Sequence, residues 1–397
     1  MFSFAFAYSA SVHAHTETNS EILTKIWETG RQKSCSPEMR SRFDRSSLLN
    51  VQTQVKSKFN RNALARALNP FLFSLGYSHT QFFSDQMESY YLFKGYYSQT
   101  HPSAPSAPLI VNPGIQVGSD DQGFFAREVL DGLPAKKRIL KGDRLLLLDG
   151  KPFRGTWGVQ AKQQASLRIS RQGTLLDLIL PLPVLNWSQA FQDATLKSIK
   201  TLTHRKRVIG YVRLWSGVHP DSASALWTAV STLKAAHVEG LVLDLRGGYG
   251  GAFWEHLDPF FSDRKDFFEM SATDGDNQTV VMRAEPKSNP DAYLGPMVVL
   301  INEGSRSGKE ALAYQFKKSK RAKLVGTSTP GYFSGGELFF LDQSSDYFLY
   351  LCVRRDSLLD GNPIEGIGIK PDVVAEFQHL GSDQDAQLKA ALDLVLE

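Results

Sequence analysis

The chain has 397 residues, a length that suits two or three domains. Its 42% hydrophobic and 22% charged residues allow packed cores and exclude an intrinsically disordered chain, while 31 Gly and 18 Pro exclude a collagen-like or low-complexity one. The net charge of +4 is small and no Lys/Arg run is long, so no nucleic-acid partner is expected; nor is a membrane span, because no run of about 18 apolar residues occurs.

In chain order, residues 1–15 are apolar and end in Ala10-Ser11-Val12-His13-Ala14. This is the apolar-then-small order of a secretory signal without its positive start, so residues 1–19 read as a signal or loose terminus. The expected location is therefore extracytoplasmic, periplasmic or secreted, with the cytoplasm the alternative. Residues 20–108 read as a helical region: Ile22, Leu23, Ile26 and Trp27 recur at helical spacing, and Leu64, Leu68, Phe71, Leu72 and Leu75 do so before Gly76. It closes in a proline-rich linker, residues 100–108.

Residues 109–185 are β-rich, with strands expected at 124–130, 145–148, 166–170 and 175–180 and an Asp149-Gly150 hairpin turn. From 186 to 397 strands and helices alternate: strands at 208–214, 241–245, 298–301 and 323–326, and helices at 222–236 and from Ser307 to about Lys318. That alternation predicts an α/β layer with parallel strands. Two further strands, 338–341 and 347–353, and a helix from about Ser382 close the chain.

Four short motifs carry chemistry. In the first, residues 302–313, a buried strand ends, a glycine turn follows, and Ser307 falls where a helix begins. There its hydroxyl lies beside free backbone amides and the positive end of the helix dipole. Ser307 and Glu310 also spell a capping box, so a nucleophile and a plain cap both fit. Second, Asp244-Leu245-Arg246-Gly247-Gly248-Tyr249-Gly250-Gly251 follows a parallel strand; its glycines suit either an oxyanion donor at Gly250 or Gly251 or a tight turn, and no phosphate-loop pattern is present. Third is the Ser78-His79 step, catalytic or structural; fourth is the turn-rich stretch 361–372, with Glu365 inside it as a functional or a merely solvated carboxylate. Cys35 and Cys352 are too few for a disulfide scaffold or a four-cysteine zinc site, and a bridge between them requires that they meet. No metal motif is present and no cofactor is implied.

Taken together and in this order, from about Leu64 to the end, these pieces resemble the C-terminal-processing (tail-specific) serine peptidases, and most closely their tricorn-like branch. The stretch 109–185, with Gly142-Asp143-Arg144-Leu145-Leu146-Leu147-Leu148-Asp149-Gly150, is similar to the PDZ domain inserted in that family. The resemblance implies a ClpP/crotonase-like α/β catalytic core, a β-rich PDZ-like domain and an N-terminal helical region carrying the Ser-His step. It makes Ser307 the nucleophile, His79 its base, Ser78 and Glu365 the rest of a tetrad, and Gly308 with Gly250 or Gly251 the oxyanion hole. Gly114-Ile115-Gln116-Val117 would form the loop that holds a peptide carboxylate, and the partner would be a peptide or protein tail.

Departures from the pattern keep two alternatives open. Tyr332 stands where the Ser-Lys branch carries its lysine, and Lys309, two residues along the helix from Ser307, faces elsewhere. Ser-Lys catalysis would need a lysine from another place. Arg306 and Lys309 replace the small residues usual around the nucleophile, which also fits an inactive, peptide-binding homologue.

Overall fold

A computed structural model describes residues 17–55, 59–100, 106–156, 159–341, 347–377 and 384–397. The apolar stretch read as a signal, residues 1–15, lies outside the described residues, as does 101–105 of the linker.

The centre is a six-stranded sheet in the order Lys200–His204, Arg207–Arg213, Gly240–Asp244, Met297–Ile301, Lys323–Gly326, Val373–Val374. The first two strands form an antiparallel hairpin; the remaining pairings are parallel, as the alternation of elements predicts. The inner strands carry apolar runs, Leu241-Val242-Leu243 and Met297 to Ile301, because both faces are covered, with polar residues such as Arg213 and Asp244 at strand ends. Leu241, Leu243, Val299 and Ile301 join one core with the helices Ser222–Ala235 and Gly308–Lys318, through Leu226, Leu233, Leu312 and Phe316. Val242, Val298, Leu300 and Val325, pointing the other way, pack on Ala391 and Val395 of and beside the terminal helix Ala386–Leu394. Period-two alternation along one strand thus feeds two separate cores.

Residues 115–182 form an antiparallel six-stranded sheet: Ile115–Asp120, Gly123–Val129, Arg144–Leu148, Lys162–Arg171 and Thr174–Leu182 in line, with Lys151–Pro152 on Arg144–Leu148. Its entry and exit strands, Leu109–Val111 and Val184–Asn186, pair with each other. A helix, Trp187–Lys197, then leads into the central sheet; its Trp187 and Phe191 are fully buried against Trp215 and Tyr249. This helix is not among the elements expected above, although Trp187, Ala190, Phe191 and Ala194 recur at helical spacing behind the N-cap Asn186.

The N-terminal helices Asn19–Lys33, Pro37–Arg42, Arg45–Gln54 and Arg61–Ser74 share one core with a strand nearly three hundred residues later. Gly76, at φ 80°, ends the last of them in the left-handed conformation glycine adopts without strain. The chain then turns into a short strand, Gln81–Phe83, that pairs antiparallel with Phe348–Leu358, Gln81 opposite Tyr350. Phe348–Leu358 also carries Gly335–Phe340 and Met270–Asp274, and Met270–Asp274 pairs with Thr279–Met282. The same seam brings the two cysteines together. Cys35 N–H donates to the Cys352 carbonyl at 3.0 Å, both residues are fully buried, and both are free thiols. The Cys35 thiol and burial together push the Cys352 thiol far up.

Candidate active site

Two loops leave the same edge of the central sheet. Because Gly240–Asp244 and Met297–Ile301 run parallel and in register, Asp244 beside Leu300, their C-terminal ends open side by side, where ligands bind in open α/β sheets. Asn302 ties the loops together: its Oδ1 accepts from Gly247 N at 3.1 Å and Gly304 N at 2.8 Å. The fit is tight enough to need glycine. A Cβ on Gly250 would lie 2.7 Å from Ser307 Cβ, and one on Gly308 would lie 1.8 Å from the Ala252 carbonyl oxygen. The N–H groups of Gly250, Gly251 and Gly308 have no hydrogen-bond partner among the described residues.

Ser307 caps the helix Gly308–Lys318 in position but not with its hydroxyl. Glu310 N–H donates to the Ser307 carbonyl at 2.7 Å, leaving Oγ uncommitted to the helix. Its backbone sits at φ 55° and ψ −126°, a conformation L-residues avoid, and His79 is also at positive φ, 59°. Such strain persists only where the surroundings over-determine it.

What over-determines Ser307 is Glu310. Its buried carboxylate accepts from Ser307 N at 3.0 Å, Thr329 Oγ1 at 2.6 Å, Gly331 N at 2.7 Å and Tyr332 N at 2.7 Å. Burial, opposed by these donors, raises its pKa. In the sequence Glu310 reads as half of a capping box; its bonds to residues 329–332 come from chain folded back from beyond the helix.

Four sequence-predicted residues converge. His79 Nε2 lies 3.2 Å from Ser307 Oγ, and His79 Nδ1 lies 2.8 Å from Ser78 Oγ. Ser78 Oγ donates to Glu365 Oε2 at 3.0 Å and Ser78 N–H donates to Oε1 at 3.1 Å. Glu365 Oε2 also accepts from Phe333 N at 2.5 Å and Ser334 N at 2.7 Å. The donor pattern fixes the protons. A carboxylate only accepts, so the single Ser78 hydroxyl proton points at Glu365; Ser78 Oγ then accepts from His79 Nδ1–H. That leaves the Nε2 lone pair facing the Ser307 hydroxyl. Burial pushes the His79 imidazole down to about 4 against the pull of Glu365, with Arg354 and Arg306 adding to the depression. The ring is neutral at pH 7, and the edge of Tyr350 holds it with ring centroids 5.5 Å apart.

Lys309 takes no part in this group. It is fully buried, and its Nζ donates to the carbonyls of Trp215 at 3.1 Å and Gly247 at 2.9 Å, bracing the glycine loop. Burial lowers its pKa well below the usual lysine range. Tyr332, at the position of the other branch's lysine, is half-exposed, and its N–H goes to Glu310. Among the described residues Ser307 Oγ hydrogen-bonds His79 alone.

The loop expected to hold a peptide carboxylate is differently placed. Asn112 Oδ1 already accepts from Gly114 N and Ile115 N, both at 2.8 Å, and Glu88 Oε1 accepts from Val117 N at 3.0 Å. Gln116 is fully buried, with neither side-chain atom hydrogen-bonded. The amides of Gly114, Ile115 and Val117 are therefore not open to a ligand here, because two polar side chains outside the motif fill them. Burial raises Glu88 to about 7.

Ser307, His79 and the glycine loop line one cavity of about 1240 Å³ together with Tyr249, Phe333 and Tyr350. Among the described residues no group of three His, Cys, Asp or Glu could hold a metal ion, and no helix is long and apolar enough to cross a membrane.

Comparison with known proteins adds a family to this geometry. The chain is similar to the carboxy-terminal-processing protease of Bartonella bacilliformis, 29% identical over 277 residues that cover 66% of this chain and 61% of that protein. It is also similar to the carboxy-terminal processing protease CtpA of Bacillus subtilis, 27% identical over 270 residues, covering 66% and 56%. The aligned stretch spans less than two thirds of the length of either relative. Among solved structures, a photosystem II D1 C-terminal processing protease superposes with a TM-score of 0.54 at 20% identity, covering 96% of this chain and 97% of that one. Mature CPAF complexed with lactacystin gives 0.51 at 14%, covering 95% and 97%. These likenesses establish the α/β fold. The family model for peptidase family S41 matches residues 208–375, a stretch that contains the glycine loop, Ser307 and Glu365.

Proposed function

We propose that the chain is a serine endopeptidase that cleaves peptides or protein tails through an acyl-enzyme, with Ser307, His79, Ser78 and Glu365 as a tricorn-like tetrad. The reading is carried by the unbroken hydrogen-bond series Glu365–Ser78–His79–Ser307, ending beside unpartnered amides. Nε2 takes the Ser307 proton as Oγ attacks the scissile carbonyl, then delivers it to the leaving amine. The positive charge gained by the ring is balanced through Ser78 by Glu365. The amide of Gly308 and that of Gly250 or Gly251 receive the oxyanion, about 3 kcal/mol per donor in comparable sites. A second cycle, with water in place of the amine, frees the acid product.

The relatives' names speak of C-terminal processing, which makes protein tails the first substrate class to try. The unit 109–185, read as PDZ-like, would add an extended tail as a strand once Glu88 releases the Val117 amide. The direct test is a fluorophosphonate probe followed by peptide mapping. Modification of Ser307, lost in His79→Ala, is the expected result; an unlabelled Ser307 would leave a binding protein built on a peptidase fold.

A further inference from the structure

The charged side chains around the cavity are nearly all spoken for. Arg354 Nε is paired with Asp356 at 2.9 Å, Glu365 is saturated by four donors, and Lys309 is bound to two carbonyls. Apart from the exposed Glu337, the exception is Arg306, the residue directly before the nucleophile. It lines the cavity, yet its Nε is shut off from solvent with no hydrogen-bond partner, and its guanidinium makes no ion pair or hydrogen bond among the described residues. The groups that act on it electrostatically are Arg127, Tyr249, Tyr332 and Glu303. Arg127 repels it and acts also on Glu88; the Tyr249 hydroxyl is engaged with Ser89 Oγ at 3.1 Å; and the exposed Glu303 lies 3.9 Å from Lys141. Arg306 is partly buried, its Nε closed off from solvent while the side chain borders the cavity, and burial lowers its pKa. An acceptor brought into the cavity would pair a cation that burial disfavours.

We propose that Arg306 is the specificity residue of this site, reading a carboxylate on the substrate next to the bond that Ser307 attacks. A planar guanidinium beside an open cavity suits a two-oxygen anion, which it grips with two parallel hydrogen bonds. An extended peptide advances ~3.4 Å per residue, so the carboxylate belongs within about two residues of the scissile bond. It has two sources: an Asp or Glu side chain, or the free α-carboxylate of a chain end. Arg306, the residue that looks least suited to a serine nucleophile's neighbourhood, thus becomes the reason for its selectivity. This inference rests on the peptidase reading for its purpose, but carboxylate binding itself does not depend on turnover.

The experiment uses the full chain as Ser307→Ala, which binds without cleaving, and fluorescent decapeptide pairs that differ only as Asp against Asn at each position in turn, or as free acid against C-terminal amide. The expected result is binding about 10- to 100-fold tighter for the acid member of one pair class, the range for a hydrogen-bonded charge. Dependence on an internal Asp identifies the side chain as the source; dependence on the terminal acid identifies the chain end. Adding Arg306→Gln should erase the difference, and Arg306→Lys, which keeps the charge but not the fork, should keep part of it. Equal binding of acid and neutral peptides by the Arg306-containing protein would overturn the proposal without any further variant, as would a preference that survives Arg306→Gln. Acid preference in a protein whose Ser307 form cleaves nothing would remove the peptidase reading and leave this one standing.

Discussion

The cavity holds two serine–histidine pairs that look alike by every coarse measure. Ser307 and His79 approach to 3.2 Å, Ser222 and His256 to 2.9 Å, and burial pushes both imidazoles down to about 4. The second ring nitrogen separates them. His256 Nδ1 accepts from Phe253 N–H at 3.1 Å, so Nε2 must carry the proton and donate it to Ser222, whose own proton goes to the Gly217 carbonyl at 3.1 Å. That imidazole has no lone pair to offer its serine. In His79 the order is reversed, because Ser78 accepts at Nδ1 and passes its own proton to Glu365. Proximity and a low pKa are thus shared by a structural strut and a candidate base; what differs is which atom lies behind the ring.

The comparison can be broken at its serines first. Ser307→Ala should lower peptide cleavage by about 10⁴- to 10⁶-fold, while Ser222→Ala should leave the rate within about tenfold; steady-state kinetics on both variants decides it. Because the Ser307 hydroxyl does not cap its helix, the first variant should melt within about 0.5 kcal/mol of the parent. Ser78→Ala removes the acceptor that selects the His79 tautomer and should cost about 10²- to 10⁴-fold in kcat with little change in KM. His256→Phe is the counterpart. It orphans the partly buried Phe253 N–H and should cost about 1–3 kcal/mol of stability in a denaturant titration, with kcat per folded molecule within about tenfold. Lys309→Met should likewise keep turnover within about tenfold; abolished turnover in a folded variant would point back to a lysine base.

Acidity gives the smallest and subtlest effect. Both imidazoles titrate lower in the folded chain than in the unfolded one, where the ordinary value is 6.5. The unfolded state therefore binds more protons below that value, and stability is lost as pH falls from about 6.5 through about 4. The cleavage rate should stay level down to about pH 5 and fall toward pH 4 as His79 is charged. Removing the nearby cation by Arg354→Met should move that acid limb to higher pH.

Much of this was legible before any coordinates. The apolar runs at 241–243 and 298–301 mark buried parallel strands, because a strand covered on both faces has little use for polar residues. The Ser78-His79 step, the glycine loop, Ser307 and Glu365 were each ambiguous alone and informative in order. What stayed hidden depends on long-range contact. Glu310 reads as a capping residue until residues 329–332 fold onto it. The amides of the 114–117 loop read as open until Glu88 and Asn112 are seen to fill them. No local pattern announces that Cys35 and Cys352 lie side by side, since their meeting follows from helices docking on a strand from the far end of the chain.

The direct measurement is nitrogen-resolved NMR of the histidine rings at pH 7 in protein carrying ¹⁵N-labelled histidine, assigned with His79→Gln and His256→Gln. The account predicts opposite tautomers: His79 protonated at Nδ1 and bare at Nε2, His256 the reverse, with the His79 pattern scrambled by Ser78→Ala. A His79 ring that carries its proton on Nε2, or is charged at that pH, would contradict the assignment of this imidazole as the base for Ser307.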